Sequence, residues 1–176
     1  MTMNRRTLLK ASLMLPLSLM LPGGSLWAQE TTGDADTLAL SIHTEQGPHR
    51  LTVEVAKSLA QRQQGLMGRE TLGEKRGMLF VFGREQAPGK GFWMYRTLIP
   101  LDIAFIDDDG RIVAIESMQP CESSSPSDCP SYAPGAAYHA ALEVNAGYFA
   151  ERGIKVGDCV SVPDEAGFCQ PGDGET

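Results

Sequence analysis

The chain has 176 residues, 42% of them hydrophobic and 21% charged, the balance of one water-soluble globular domain. Its formal charge of −7 argues against nucleic acid or an anionic membrane as a partner, since both would repel it.

The chain opens on Asn4-Arg5-Arg6-Thr7-Leu8-Leu9-Lys10, followed by an apolar run over residues 11–21 that Pro16 interrupts. That run is shorter than the ~20 apolar residues a bilayer span needs. A basic head, a short apolar body and the small residue Ala28 describe a secretory signal over residues 1–28. The paired arginines and the residues after them fit the twin-arginine type, which exports folded proteins; a general secretory signal carrying two arginines is the alternative. Removing residues 1–28 takes away Arg5, Arg6 and Lys10 and no acid, so the charge moves from −7 to −10. The mature protein is expected in the periplasm or outside the cell, with no membrane span. About 148 residues remain, enough to bury roughly 68–70% of the unfolded surface in one core.

Residues 29–37 have the polar composition of a linker, and residues 38–170 are expected to form one β-rich domain before a tail at 171–176. Two strands are expected at 38–43 and 50–56, the second alternating Leu51, Val53 and Val55 against Thr52 and Glu54. Ser58 with Gln61 three residues on makes a capping box for a short helix that Gly65 can stop, with Leu59, Leu66 and Met67 able to pack. Residues 77–82 form a continuous apolar run that suits a strand buried on both faces, and 83–91 read as a loop. Strands are expected again at 92–96 and 101–107, bent between them at Pro100. Asp107-Asp108-Asp109-Gly110 is a hairpin turn into a strand at 111–117. A loop of Ser, Pro and Gly follows at 120–135. Tyr138, Ala140, Leu142 and Val144 then alternate along a strand with His139, Ala141, Glu143 and Asn145. A helical turn at 147–153 and a last strand at 159–162 complete the domain. Some eight short strands, one helix and no alternating βαβ pattern imply a mainly β fold: a jelly-roll-like sandwich or a half-open barrel with the helix closing one end.

The four cysteines, Cys121, Cys129, Cys159 and Cys169, all lie in the second half. An even count in an oxidising compartment suggests disulfides, and two local bridges, Cys121–Cys129 and Cys159–Cys169, are the favoured connectivity of three. The zinc alternative lacks a C-x2-C pair, and no redox Cys-x-x-Cys is present.

Several blocks then resemble a known family. Gly65-Leu66-Met67, Gly77-Met78-Leu79-Phe80-Val81-Phe82, Phe92-Trp93-Met94 with Thr97-Leu98-Ile99-Pro100-Leu101-Asp102, Phe105-Ile106-Asp107, Leu142-Glu143-Val144-Asn145-Ala146-Gly147 and Gly157-Asp158 are similar to domain of unknown function 192 (DUF 192). The resemblance runs from Leu51 to Val162 in the expected order. It implies a mainly β, jelly-roll-like domain found in exported bacterial proteins, and no reaction. Where the family commonly carries Lys-Asn before the threonine, this chain has Tyr95-Arg96, so the basic charge is displaced by one residue.

The candidate site residues are Trp93, Arg96, Asp102 and Glu143. Asp102 follows Pro100-Leu101 among apolar neighbours, where a buried carboxylate needs a partner. It either faces a ligand at the mouth of the domain or bonds locally, to backbone N–H groups at the Pro100 bend or to Arg96. Trp93 beside Arg96 can stack on a sugar or another planar ligand, or can pack as core. Catalytic and metal constellations have no support. His43, His49 and His139 are scattered, the triple aspartate lacks the frame of a calcium loop, and no serine or cysteine sits in a nucleophile elbow. No cofactor motif is present. The sequence therefore reads as a binding domain for a small ligand or cell-envelope component. A carboxylate-based glycan hydrolase is the alternative, and needs Asp102 and Glu143 in one cleft about 5–10 Å apart. A third reading is an accessory partner of another exported protein, which an exposed apolar patch would betray.

Overall fold

Three stretches of the chain carry apolar side chains on both strand faces, and these become the middle of the sheet. In the computed structural model, residues 36–163 and 167–169 are described. Residues 1–28, expected as an export signal, residues 29–35 of the expected linker and the tail lie outside the described residues. The elements in chain order are β1 (Thr37–Thr44), β2 (Gly47–Ala56), α1 (Leu59–Gln64), β3 (Arg76–Gln86), β4 (Phe92–Trp93), β5 (Leu101–Ile106), β6 (Ile112–Met118), β7 (Ser131–Tyr132), β8 (Tyr138–Asn145), α2 (Tyr148–Glu151) and β9 (Cys159–Ser161). Seven strands form one sheet in the order β6-β5-β8-β3-β2-β1-β9, and β4 pairs with β7 in a small second sheet.

The large sheet curls until its edges meet at one corner. Arg111 bridges to Cys159, Ile112 N–H donates to the Asp158 carbonyl at 2.9 Å, and Val160 N–H donates to the Gly110 carbonyl at 2.8 Å. Gly110 is required there: its φ is +77°, and a Cβ would run into the Phe168–Cys169 backbone. The result is a mainly β, sandwich-like domain that does not close into a barrel.

Each face of the central strands builds its own core, because successive side chains point to opposite sides. Inside the curl, Leu79, Ala104, Leu142 and Val144 pack with Leu40 and Val53, and α2 caps them with Tyr148 and Phe149. On the outer face lie Met78, Phe80, Ile103, Phe105 and Ala141. Five rings converge on that side edge to face, with Phe80–Phe92 centroids 4.9 Å apart, Phe92–Phe105 5.8 Å, Phe105–Tyr138 5.0 Å and Phe82–Tyr138 5.5 Å. Such pairs add about 0.5–1.5 kcal/mol each beyond the area they bury. Both local disulfides are formed, Cys121–Cys129 with Cα atoms 5.7 Å apart and Cys159–Cys169 with 5.9 Å.

Four expectations need correction. β2 and β3 are parallel, so the sheet is mixed and one βαβ-like crossover runs through residues 57–75. α1 was too short to signal it. β3 continues to Gln86 through a register shift after Val81, taking in residues expected as a loop. β4 ends at Trp93, because residues 94–97 close a turn in which Thr97 N–H donates to the Met94 carbonyl at 3.1 Å. The Ser/Pro-rich segment carries β7, a two-residue strand too short for any periodicity to reveal.

Candidate functional site

α1 begins as the capping box requires. Gln61 N–H donates to Ser58 Oγ at 3.1 Å, and the Gln61 side chain accepts from Ser58 N–H at 2.8 Å. Its own side chains are not buried, and Leu59, expected to pack, is 65% exposed. Arg62 anchors it instead. The guanidinium donates to the carbonyls of Lys57 and Val81 and lies 5.0 Å from the centre of the Phe82 ring. The helix is thereby held beside β3 as a wall, and a groove opens between it and β4.

The outer part of this groove is a cavity of about 220 Å³ with Leu59, Arg62, Phe82, Lys90, Phe92 and Trp93 among its walls. An inner pocket of about 30 Å³ shares Arg62, Phe80, Phe92 and Trp93, and adds Leu66, Met67, Thr97 and Glu143. Trp93 is 46% exposed, half committed to the wall and half open to solvent.

Glu143 is the unusual member. It projects from β8 onto the outer face, beside Met78 of β3 and Ile103 of β5, and is only 5% exposed. Among the described residues no hydrogen bond or ion pair to its carboxyl group is formed, and its oxygens stay open to the pocket and are not sealed in the core. Burial pushes its pKa from the ordinary 4.5 up to about 8, so the group is a neutral acid at pH 7. The strands meet closely next to it: a Cβ on Gly77, which pairs with Val144, would lie 2.5 Å from the Glu143 carbonyl oxygen, so glycine is needed in β3 at that position.

Asp102 does the opposite. It pairs in register with Val144, which turns its side chain to the inner face. There it is 2% exposed and fully engaged: Ser117 Oγ donates to Oδ1 at 2.6 Å and Gly147 N–H to Oδ2 at 2.8 Å. It ties β6 and the β8–α2 turn to β5. Its partners are therefore neither the Pro100 bend nor Arg96, and it stands apart from the groove. Because Glu143 pairs with Ile103, the next residue along β5, Asp102 and Glu143 lie on opposite faces of the sheet. Asp102 and Glu143 therefore do not share the cleft that a glycosidase's two carboxylates need.

Arg96 also leaves the groove. Its φ is +57°, the left-handed region, and its guanidinium lies over the Tyr95 ring at 5.1 Å. Its carbonyl accepts Gly68 N–H at 2.8 Å, which links the turn to the segment after α1. Asparagine, implied here by the family resemblance, enters this backbone region more readily than arginine does. The turn delivers Thr97, 6% exposed, into the inner pocket. Of the four candidates, then, Trp93 and Glu143 come together and Asp102 and Arg96 do not. Sequence reasoning missed Arg62 and Thr97 as site residues. The capping box fixed where α1 starts, but nothing local told which strand the helix would lie against.

A second cavity, of about 330 Å³, is lined by His49, Arg50, Lys75, Tyr148 and Arg152. Its most buried cation is already satisfied: Arg152 pairs with Glu74 at 2.9 Å and stacks 4.0 Å from the Tyr148 ring. The groove is distinguished by a largely buried carboxyl group to which no described residue bonds.

The fold and the groove define a class: a small, mixed-sheet β-domain with an aromatic cleft on one sheet face. The chain belongs to the DUF192 family, described as uncharacterized ACR, whose model matches residues 41–162. It is similar to a solved Sinorhizobium meliloti 1021 protein described as a candidate transcription regulator, with 34% identity, a TM-score of 0.63, and coverage of 73% of this chain and 95% of that one. It is also similar to a Novosphingobium aromaticivorans DSM 12444 protein of unknown function, with 31% identity, a TM-score of 0.65, and coverage of 74% and 89% respectively. No curated protein matches.

Proposed function

We propose that this is an exported ligand-binding domain whose site is the groove between α1 and β4, with Glu143 at its floor and Trp93 as its movable wall. The observation that supports it is the buried, unpaired Glu143 carboxyl opening into an aromatic pocket. Such a group costs the fold, since a polar side chain taken largely out of water without a protein hydrogen bond loses part of its solvation, up to about 1–3 kcal/mol on mutational scales. A ligand that bonds to it recovers that cost. The transcription-regulator description of the Sinorhizobium protein is not carried over, because a mature charge of −10 opposes contact with phosphate backbones. Export through a signal at residues 1–28 agrees with the two disulfides, which persist in oxidising compartments. No helix among the described residues is long and apolar enough to cross a membrane.

Trp93 makes the test direct. The chain has two tryptophans, Trp27 and Trp93, so after loss of residues 1–28 the fluorescence reports the groove wall alone. Screening amines, sugars, peptidoglycan fragments and fatty acids should find a class that shifts the Trp93 emission and raises the melting temperature. Both effects should vanish in Glu143→Gln. A ligand that stabilises the protein equally in wild type, Glu143→Gln and Trp93→Ala would place binding elsewhere.

A further inference from the structure

The groove also specifies what kind of group it takes, an inference that rests on the reading above. The inner pocket has two deep polar side chains, the Glu143 acid and the Thr97 hydroxyl, and around them the rings of Phe80, Phe92 and Trp93. Its volume of about 30 Å³ exceeds the ~10–15 Å³ that one water requires, yet leaves no room for a branched substituent. A carboxyl group and three aromatic walls around a water-sized space are complementary to one small cation. The acid supplies the counter-charge and ring faces attract positive charge.

We propose that the inner pocket binds the primary ammonium terminus of a ligand whose apolar body lies along the outer groove, as an ion pair with Glu143. The proton balance is explicit. Free protein holds the Glu143 carboxyl neutral near pH 7, because its ionised form would be buried without a partner. The incoming ammonium keeps its own protons, the carboxyl group releases one to the buffer, and the resulting carboxylate and ammonium pair. No covalent bond forms or breaks.

The charged neighbours on each packed element set the selectivity. Arg62 of α1 is engaged by two carbonyls and the Phe82 ring. Glu54 of β2, on the same sheet face, is paired with Arg69 at 2.6 Å. β3 and β5 contribute only Met78, Phe80 and Ile103 beside Glu143. Among the described residues of these elements no base is therefore left to pair with Glu143. Arg62 lines both compartments, its guanidinium held by two carbonyls and the Phe82 ring, and Lys90 lines the outer groove alone, so a second ammonium on the ligand is repelled there and a carboxylate is favoured. Primary monoamines should bind better than diamines, and ω-amino carboxylates best. Trimethylammonium groups should be too large.

The test is calorimetric titration of the mature, disulfide-bonded protein with hexylamine, 6-aminohexanoate, 1,6-diaminohexane, hexyltrimethylammonium, hexanoate and hexanol. Running it in buffers of different ionisation enthalpy counts protons. The two monoamine probes should bind with release of about 0.9 proton at pH 7 and about 0.1 at pH 9, as a group titrating near 8 dictates. Glu143→Gln should weaken them at least tenfold and abolish the release, while Trp93→Ala weakens binding but keeps the release. Binding without proton release, an amine affinity unchanged in Glu143→Gln, or no amine binding at all overturns the proposal. If hexanoate or hexanol binds in the amines' place and still depends on Glu143 and Trp93, the amine is wrong and the groove stands. If whatever binds ignores both substitutions, the groove reading falls as well.

Discussion

Asp102 and Glu143 are two carboxyl groups on neighbouring strands, almost opposite each other in register, and they have contrary fates. Asp102 faces the inside of the curled sheet, where a hydroxyl and a backbone N–H satisfy it. Glu143 faces the outside, under an aromatic groove, where among the described residues no group meets it. Both are buried, so burial alone does not separate an acid bonded within the fold from one left open to a cavity. The difference lies in whether the protein itself supplies the partner. A satisfied buried acid stabilises the fold; an unsatisfied one lowers stability and keeps bonding capacity for something else.

The largest effect that can break this contrast is the response to pH. Folded Glu143 holds its proton up to about pH 8, whereas the unfolded chain releases it near 4.5. Between those values the unfolded state binds fewer protons, so stability falls as pH rises and levels off above about 8. Urea unfolding at pH 5 and pH 9 should show wild type losing roughly 3–5 kcal/mol from this group, the order of magnitude of the shift. Glu143→Gln should lack that slope and be the more stable protein at pH 9. A wild-type slope that persists in Glu143→Gln would place the titrating group elsewhere.

On the other face the prediction has the opposite sign. Asp102→Ala removes two hydrogen bonds to a charged group and strands the Ser117 hydroxyl and Gly147 N–H. It should destabilise by about 3 kcal/mol, at about 1.5–3 kcal/mol for each charge-assisted bond less some relaxation. Ligand affinity per folded molecule should not change. An Asp102→Ala protein of wild-type stability that had lost ligand binding would reverse the two roles.

Slightly smaller is the staple beneath the β4–β7 side of the groove. Replacing Cys121 and Cys129 together by serine should cost about 2.5 kcal/mol in the chain-entropy account, read as a lower urea midpoint under non-reducing conditions. Smallest on stability is Trp93→Ala. With Trp93 46% exposed, unfolding free energy should move by about 1 kcal/mol or less, while ligand affinity falls about tenfold. Equal losses in stability and affinity would make Trp93 core.

Much of the fold was legible because its signals are local. Alternation marked β2 and β8, a continuous apolar run marked β3 as doubly buried, and Asp109-Gly110 marked the hairpin. The parallel pairing of β2 with β3 was not legible, since strand neighbours are chosen by which faces bury together and not by any residue within either strand. Half of the proposed groove was legible for the same reason. Trp93 and Glu143 stood out as chemistry in apolar strands, but so did Asp102, and a one-residue step along β5 turns a side chain to the other face.

The amino-acid sequence by itself determined the family blocks, the strand-rich character and the capping box that starts α1, and favoured the local pairing of four cysteines that the structure forms. Each depends on residues within about ten positions of one another. Only the tertiary structure decided that Arg62 would pin α1 across β3, that the Arg96 turn would bring Thr97 under it, and that Glu143 would be left there without a partner. Those outcomes depend on strand order and register, which bring together residues up to eighty positions apart in the chain.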